Sequence, residues 1–459
     1  MRRRNSFVLK MPFIASMMLL AAMVCVPELT CAQETQTVIH EFTGKAGEQP
    51  AGDLIADSSG NLYGTAAFGG VERGNVCPVG CGVVFELSPI PGGGWRSLEL
   101  HRFIGGREDG QRPLTGLARD SSGNLYGTTA FGGHYGGGVA FEISRTSNGV
   151  WKETVLFHFG GGNLSGGAVP LGRLAIDQAG NLYGTATQGG NTSGVCADRF
   201  SGGCGIVFEL SPSSSGLWTG TVLYTFTGGA DGAYSQTGLT FDAAGNLYGT
   251  ASGGGNSGCS QALNYGCGVV FELSPNPSGP WTETVLYTFS GSDGSAAVAP
   301  LIFDVAGNLY GTTEAGGSAT GCKGGCGVVF QLSQEPAGWS ETVLHTFQPG
   351  TTGWGDANGG QPESGVHLDA SGNLFGTTYS GGTTTACGDE GCGVIYELSL
   401  SGSTWTEIVL HSFSGGSDGS GPYSSLTLGE GGSLFGSTFN GGNTNDCTGG
   451  CGVVYQITP

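Results

Sequence analysis

The segment FDAAGNLYGTASGG, residues 241–254, contains the hexapeptide GNLYGT, which recurs along the chain. Copies start at Gly60, Gly123, Gly180, Gly245 and Gly307, and variants start at Gly372 (GNLFGT) and Gly432 (GSLFGS). The distance between neighbouring copies ranges from 57 residues (123 to 180) to 65 residues (180 to 245). Seven copies at a nearly constant period indicate a repeat architecture.

Three further motifs keep a fixed order around each copy. In the repeat that contains residue 245, GLTFD (238–242) precedes the hexapeptide, and GVVFELSP (268–275) and WTETVLYTF (281–289) follow it. Each motif is short, rich in Val, Leu, Phe, Tyr and Thr, and bounded by Gly, Pro or Ser. This is the pattern of β-strands, and no helical period is sustained. One repeat therefore predicts four short strands.

The hexapeptide is expected to begin in a tight turn. Asp242 and Gly245 fit a type I turn in which the aspartate accepts hydrogen bonds from the turn backbone and the glycine is left-handed. Leu247 and Tyr248 are expected to pack on neighbouring sheets, and Gly249 is expected to let backbones approach closely.

Four-stranded repeats of this length predict the blades of a β-propeller. The N-terminal TVIHEF (37–42) is a fourth strand with no blade before it, whereas the C-terminal GVVYQITP (452–459) is a third strand with no fourth after it. The two can complete one blade. The sequence therefore predicts an all-β fold, a single seven-bladed β-propeller of four-stranded blades whose ring is closed by the N-terminal strand.

Three motifs also resemble a known repeat family. GNLYGTT (307–313), GVVFELSP (268–275) and WTETVLY (281–287) resemble the GloVer (Gloeobacter/Verrucomicrobia-type) tandem repeats, and the resemblance covers nearly all of the chain after its N-terminal segment. The resemblance implies an exported bacterial protein with a repeat propeller, and it implies no known activity. Members of that family carry varied C-terminal anchors, whereas this chain ends on a strand, which favours free secretion.

The N-terminal segment has the features of a signal peptide. Arginines 2–4 and Lys10 form a basic region that precedes an apolar run (11–26). Thr30 and Ala32 are small enough for the −3 and −1 positions of a signal-peptidase site. We expect cleavage after residue 32, leaving residues 33–459 as a secreted or periplasmic propeller. The alternative is an uncleaved anchor, but the run is shorter than the ~20 residues that span a bilayer.

The mature chain is strongly acidic. The sequence has 16 Lys and Arg and 36 Asp and Glu, of which residues 1–32 hold four and one, leaving 12 and 35. This excess disfavours nucleic acid and anionic membrane surfaces. We expect a monomer without a membrane span, whose partner is a glycan or an extracellular protein.

Twelve of the 14 cysteines follow residue 32 and form close pairs in the loops before the GVVFEL-type strands. The second repeat has HYGGGVAFEI (134–143) there and lacks both partners, as expected if each pair is bonded. Zinc would need about four ligands, whereas each loop offers only two cysteines. An exported protein also folds in an oxidising compartment, where disulfides form. We therefore predict six disulfides: Cys77–Cys81, Cys196–Cys204, Cys259–Cys267, Cys322–Cys326, Cys387–Cys392 and Cys447–Cys451.

No catalytic residue is assigned from the sequence, which lacks GxSxG, HExxH and P-loop motifs. Four histidines share a repeat position that holds tyrosine in other repeats, which is typical of packing: His40, His101, His345 and His411. Isolated candidates without a recognisable partner are Glu314, Asp356, Arg199, His134 and His367.

The loops of a propeller alternate between its two ends. At one end of this propeller, the loops are uniform from repeat to repeat. The cysteine loops and the loops leading into each first strand share the other end, the variable end, and differ as binding loops on a rigid scaffold do. There we predict a ligand surface of aromatic residues: Phe68, Phe131, Phe439, Tyr379 and Trp354. The alternative is that these rings pack beneath the cysteine loops.

Four aspartates lie in Gly-rich loops at the same end: Asp109, Asp231, Asp293 and Asp418. Calcium binding is one interpretation, but calcium takes six to eight oxygens and each loop offers one or two carboxylates. Asp-Gly is also an ordinary turn sequence. No cofactor is expected, and calcium remains the alternative.

The sequence favours a secreted, non-enzymatic binding module for carbohydrate or a surface partner. The alternative is an extracellular polysaccharide hydrolase or lyase with its site at the channel mouth. An enzyme would need an acid and base that converge in space, which the sequence does not demonstrate.

Overall fold

Seven four-stranded antiparallel sheets, the blades, follow one another around a central channel, and the predicted seven-bladed propeller is confirmed. The computed structural model describes residues 35–162, 166–199, 202–259, 266–276, 279–318, 321–322, 324–350, 353–384 and 386–458. The expected signal peptide, residues 1–32, lies outside the described residues.

Within each blade the strands are ordered from the channel outward. Strand β1 (Thr35–Glu41) belongs to blade 7. Blade 1 comprises β2 (Ile55–Ala56), β3 (Leu62–Ala66), β4 (Val83–Pro89) and β5 (Trp95–Arg102). In the second repeat, β6 (Gly110–Gln111) pairs with β9 (Phe131–Gly132), and blade 2 comprises β7 (Ala118–Arg119), β8 (Leu125–Thr128), β10 (Val139–Arg145) and β11 (Trp151–His158). Blade 3 comprises β12 (Ala175–Ile176), β13 (Leu182–Ala186), β14 (Ile206–Pro212) and β15 (Trp218–Thr225).

The remaining blades repeat this order. Blade 4 comprises β16 (Thr240–Phe241), β17 (Leu247–Ala251), β18 (Val269–Ser274) and β19 (Thr282–Thr288). Blade 5 comprises β20 (Ile302–Phe303), β21 (Leu309–Thr313), β22 (Val328–Glu335) and β23 (Gly338–Thr346). Blade 6 comprises β24 (His367–Leu368), β25 (Leu374–Thr378), β26 (Val394–Ser401) and β27 (Thr404–Ser412). Blade 7 comprises β29 (Thr427–Leu428), β30 (Leu434–Asn440), β31 (Val453–Thr458) and β1, and the short β28 (Ser420–Pro422) pairs with the end of β30 as β6 pairs with β9.

Helical structure in the described residues is limited to short segments. They include one helix, α1 (Val195–Arg199), and the 3-10 turns Ser257–Cys259, Gly388–Glu390 and Glu430–Gly432. Of these four, all but the last lie in the cysteine loops of the variable end.

The N-terminal strand closes the ring, as predicted. β1 pairs antiparallel with β31, from Thr35 opposite Thr458 to Glu41 opposite Val453. The register of this pairing shifts between Val38 and His40. The fourth strands of the other blades have the same irregularity at the same repeat position. Blade 7 is therefore completed by a fourth strand from the other end of the chain.

The turn that opens the hexapeptide has the predicted chemistry. In blade 5, Asp304 Oδ1 accepts hydrogen bonds from the backbone N–H of Ala306 (2.8 Å) and Asn308 (2.9 Å). Its Oδ2 accepts from the Asn308 amide (2.7 Å) and the Tyr310 hydroxyl (3.1 Å). Gly307 is left-handed, with φ of +87°. The glycine, the asparagine and the tyrosine of GNLYGT thus all serve one aspartate-centred turn.

The second glycine of the hexapeptide has a different role from the one expected. A β-carbon at Gly311 would lie 2.7 Å from Cζ of Phe330 and 2.8 Å from Cδ2 of Leu301. The close neighbours are side chains, not a backbone, so the expectation of close backbone approach is wrong. This glycine leaves room for the aromatic ring of the third strand, which packs across it in the core.

The last residue of the hexapeptide joins neighbouring blades, a role the sequence did not indicate. Its hydroxyl donates a hydrogen bond of 2.8–3.4 Å to a backbone carbonyl in the channel segment of the next blade. The seven pairs are Thr65–Thr115, Thr128–Pro170, Thr185–Thr237, Thr250–Ala299, Thr312–Ser364, Thr377–Ser424 and Ser437–Pro50. The last pair spans the closure of the ring. The two glycines and the final hydroxyl residue of the hexapeptide are kept in all seven blades, because they serve the turn, the packing of the core ring and the junction with the next blade.

All six predicted disulfides are formed, each between nearest cysteines. The carbonyl of the second cysteine accepts the N–H of a residue that leads into the next blade, as in Gln361 to Cys326 (2.8 Å). Five such residues are left-handed without being glycine, with φ between +54° and +61°: Gln49, Arg112, Tyr234, Ala296 and Gln361. Glycine occupies the position in blade 7, at Gly421. In the repeat without cysteines the equivalent Val169 is also left-handed, and its N–H bonds to the Gly137 carbonyl. The disulfide loops, and the loop that replaces them in the second repeat, therefore hold strained backbone that enters the channel.

Candidate functional site

The central channel contains a cavity of about 590 Å³ near the variable end. Each blade contributes residues from the short channel segment that precedes its first strand. These segments are residues 50–54, 113–117, 170–174, 235–239, 297–301, 362–366 and 422–426. Residues at the variable end complete the wall: Trp354, Tyr379 and Glu390 from loops and Phe439 from the end of β30.

Three of the five predicted ligand residues meet in this wall: Trp354, Tyr379 and Phe439. The sequence did not single out Tyr423, which lies between two of them. Its ring centroid is 6.4 Å from that of Tyr379, at an interplanar angle of 88°, and 6.0 Å from that of Phe439. Blades 6 and 7 thus place a group of aromatic rings on one side of the cavity.

The other two predicted ligand residues lie elsewhere. Phe68 and Phe131 flank the guanidinium of Arg112, whose Cζ is 5.1 Å and 5.4 Å from their ring centroids. They do not contribute to the cavity wall, although they share a repeat position with Phe439. The predicted crescent is therefore divided into a cavity group and a group around Arg112.

Carboxyl groups gather beside the aromatic wall. Burial raises the pKa of Glu363 to about 8, and the nearby Glu314 raises it further, while a hydrogen bond with the Tyr423 hydroxyl opposes the shift. Burial also raises the pKa of Glu314. The Tyr423 ring is 40% exposed, but the hydroxyl is sheltered, and burial and the Glu363 charge raise its pKa. With a pKa of about 8, the Glu363 carboxyl is mostly protonated at neutral pH and can donate a hydrogen bond or a proton.

The remaining charges of the cavity wall are Asp53, Glu390 and Arg173. Oδ1 of Asp53 accepts the N–H of Ser425 at 2.7 Å, so this carboxylate also ties blade 1 to blade 7. Among the wall residues in the described part of the chain, Arg173 is the only base. The wall combines aromatic faces, hydrogen-bonding groups and a small excess of negative charge.

One feature of the sequence points to Glu363 and Tyr423, which line the cavity but were not predicted as site residues. In five repeats a proline begins the channel segment, and the position after it varies widely: Ala51, Leu114, Leu171, Glu363 and Tyr423. A variable position inside a constant frame is typical of a surface where function differs between repeats.

The four predicted calcium aspartates lie in separate loops between different blades. Asp231 accepts bonds from Thr227 and from the Tyr224 hydroxyl (3.0 Å), and Asp293 accepts one from the Tyr287 hydroxyl (2.6 Å). Asp418 contacts Nε2 of His411 at 3.2 Å.

Asp109 is the member of this set with further metal-ligating neighbours. Its carboxylate, Nε2 of His101 and a carboxylate oxygen of Glu153 all lie within 4.8 Å of one another. Among the other isolated candidates, Glu314 joins the channel carboxyls, whereas Asp356 lies between blades 5 and 6 and Arg199 ends α1.

No helix within the described ranges combines the length and apolar character needed to cross a membrane.

Similarity to solved structures is confined to the fold. A putative gluconolactonase is 12% identical, with 75% of this chain and 89% of that chain covered and a TM-score of 0.38. A putative oxidoreductase (glucose dehydrogenase) from Thermus thermophilus is 14% identical, with 93% and 100% covered and a TM-score of 0.42. Similarities this distant carry no argument about activity. No curated protein matches the chain in sequence.

The family is established by the repeats themselves. The sequence pattern of the Gloeobacter/Verrucomicrobia repeat matches residues 25–263, 188–384 and 258–459, which together include every blade. The same repeats carry the turn, glycine and threonine contacts that build the ring. The chain belongs to the Gloeobacter/Verrucomicrobia repeat family.

Proposed function

We propose that this protein is a secreted glycan-binding propeller whose ligand enters the channel cavity from the variable end. The observation that carries the proposal is the meeting of Trp354, Tyr379, Tyr423 and Phe439 on one wall of a cavity of about 590 Å³. Rigid aromatic faces in a concave site suit the apolar faces of sugar rings. Ligand sites of this kind pair such surfaces with a few polar groups, here Glu363, Gln361 and Arg173.

The charge of the wall favours a neutral sugar over an acidic one. With Glu363 mostly protonated, the charged residues of the cavity wall are Asp53 and Glu390 against a single arginine, and a cavity of this sign repels anions. Six disulfides are consistent with an extracellular location, and we propose that residues 1–32 direct export.

The test is binding of the mature chain to an array of neutral and acidic glycans. Phe439→Ala should abolish binding while leaving the fold intact, because the ring lies at the cavity wall and is partly exposed. Phe131→Ala is the matched variant, since it changes the same repeat position outside the cavity. Loss in both variants would extend the ligand surface to the group around Arg112. Full binding by a folded Phe439→Ala/Tyr379→Ala protein would refute the proposal.

A hydrolase or lyase acting at the same site is the second candidate. It is favoured by Glu363, which holds a proton at neutral pH beside Glu314 and Tyr423, since paired carboxyls with different protonation states perform acid–base catalysis. The discriminating variant is Glu363→Gln. If it stops degradation of a polysaccharide that it still binds, the protein is an enzyme. If the wild-type protein binds a polysaccharide without degrading it, the binding module stands.

A further inference from the structure

Neighbouring blades meet through a recurring trio of side chains on their fourth strands. A tyrosine or histidine from one blade faces an aspartate from the loop that follows it and a glutamate from the fourth strand of the next blade. Two trios contain tyrosine, Tyr224–Asp231–Glu283 and Tyr287–Asp293–Glu341, and two contain histidine, His101–Asp109–Glu153 and His345–Asp356–Glu407.

The two acidic residues occur together at four of the seven junctions and are both absent at two. Between blades 2 and 3 the aromatic position is Phe157, the following loop has no aspartate, and the glutamate position is Gly220. Between blades 7 and 1, the loop after His40 has no aspartate and the glutamate position is Ser97. The remaining junction, between blades 6 and 7, has Asp418 beside His411 but glutamine, Gln36, at the glutamate position.

In the tyrosine trios the hydroxyl fills the space between the two carboxyls. The Tyr224 hydroxyl donates to Asp231 at 3.0 Å and also makes a hydrogen bond with Glu283. An imidazole is shorter than a phenol, so a histidine at the same position leaves a gap. In the His345 trio the gap closes by direct contact, with Nε2 3.4 Å from Glu407.

The His101 trio keeps its gap open. Nε2 of His101 lies 3.8 Å from Oδ1 of Asp109, too far for a hydrogen bond. Nε2 of His101 is buried and lacks a hydrogen-bond partner, and it faces the same space as the carboxyls of Asp109 and Glu153. Oε1 of the trio glutamate lacks a partner in all four trios, so the imidazole nitrogen is the atom that sets the His101 trio apart. An orphaned imidazole nitrogen beside two carboxyls is costly unless something binds between them.

We propose that a divalent transition-metal ion of the zinc class binds between blades 1 and 2, held by Nε2 of His101 and carboxylate oxygens of Asp109 and Glu153. The three ligand atoms lie within 4.8 Å of one another in the only such group among the described residues. Ligands at zinc distances stand about 3.4 Å apart in tetrahedral geometry, so the three side chains would move closer together around the ion and water would supply the fourth ligand. Imidazole nitrogen with carboxylate oxygens suits zinc-class ions better than calcium, which takes oxygen ligands.

The ion would fasten three separate pieces of chain. His101 belongs to β5 of blade 1, Asp109 to the loop between the blades and Glu153 to β11 of blade 2. Asp109 is already held by the N–H groups of Ile104 (2.7 Å) and Gly110 (2.7 Å), which orient its carboxylate.

The experiment is titration of the chelator-treated mature protein with Zn²⁺ by calorimetry and with Co²⁺ by visible absorption. We expect one equivalent of each ion, a cobalt spectrum of nitrogen and oxygen ligands, and a raised melting temperature with Zn²⁺. His101→Phe, which copies the residue at the equivalent position 157, and Glu153→Gln should each weaken binding roughly tenfold or more. Circular dichroism of the metal-free variants shows that the loss is not one of folding, and Asp109→Asn replaces any variant that misfolds.

Two control variants identify the site. Tyr287→Phe alters a trio whose space is filled by a hydroxyl, and it should leave metal binding unchanged. His134→Ala removes an exposed imidazole that could bind metal at a different place. The His134 ring lies 3.8 Å from a carboxylate oxygen of Glu108 and stacks on His158. No binding of either ion, or binding that survives His101→Phe and Glu153→Gln but is lost in His134→Ala, would overturn the proposal.

Discussion

Replacing Glu407 with glutamine should stabilise the protein at alkaline pH and leave it almost unchanged at acidic pH. The Glu407 side chain is only 5% exposed and lies 3.4 Å from Nε2 of His345. Burial, reinforced by the negative charge of Asp356, raises the pKa of Glu407 to about 8. Burial lowers the pKa of His345 to about 4, against an opposing effect of Asp356. At neutral pH the pair is therefore mostly uncharged, a carboxylic acid beside a neutral imidazole.

The sign and size of the effect follow from proton linkage. The pKa of Glu407 is about 8 in the folded protein and 4.5 ordinarily. The unfolded chain therefore releases this proton first, and folding stability falls as the pH rises from 4.5 to about 8. The difference corresponds to about 5 kcal/mol at most. Water that enters the junction between blades 5 and 6 screens the charge of the ionised Glu407. We therefore expect the measured loss of folding stability to be about 2 kcal/mol. Glutamine mimics the neutral acid and cannot ionise, so the variant escapes this loss.

The assay is urea unfolding of the wild-type protein and Glu407→Gln at about pH 5 and about pH 8, with the slope checked for equality. Comparing the two proteins at each pH cancels all other titrating groups, including the histidines. Glu335→Gln is the control, because this glutamate is exposed at the end of β22 and should give the same small change at both pH values. A Glu407→Gln protein that is destabilised more at pH 8 than at pH 5 would refute the reasoning, since an ionised salt bridge with His345 requires that sign.

Three further predictions concern the ring. Deleting residues 35–41 should expose the edge of β31 and cause association on size-exclusion chromatography; melting identical to that of the complete mature chain would contradict closure by β1. Gly311→Ala should lower stability by about 1–3 kcal/mol because its β-carbon would lie 2.7 Å from a buried phenylalanine ring, whereas Gly162→Ala, with nothing within 4 Å, should change little; equal urea midpoints would argue against this. Replacing Cys447 and Cys451 together with serine should cost about 2 kcal/mol by loss of loop constraint, and peptide mapping that finds links between blades would contradict the local pairing.

The sequence alone determined the architecture because its signals are local and repeated. A turn such as Asp304-x-x-Gly307 depends on residues three apart, and the strand pattern depends on neighbours along one segment. The disulfides could be paired because each cysteine has one near partner and the second repeat lacks both. Closure followed from counting strand types at the two chain ends. None of these inferences required knowing which distant residues touch.

The channel site was decided by the tertiary structure. Glu314 and Glu363 belong to different repeats, and only the ring brings Glu314 close to Glu363 and Tyr423, which line the cavity. The sequence could place Phe68, Phe131 and Phe439 at one repeat position but could not separate the cavity from the surroundings of Arg112. The gap between His101, Asp109 and Glu153 likewise depends on the distance between two blades. The proton on Glu363 and the orphaned nitrogen of His101 arise from burial, and burial is a property of the packed ring that no segment of the sequence carries on its own.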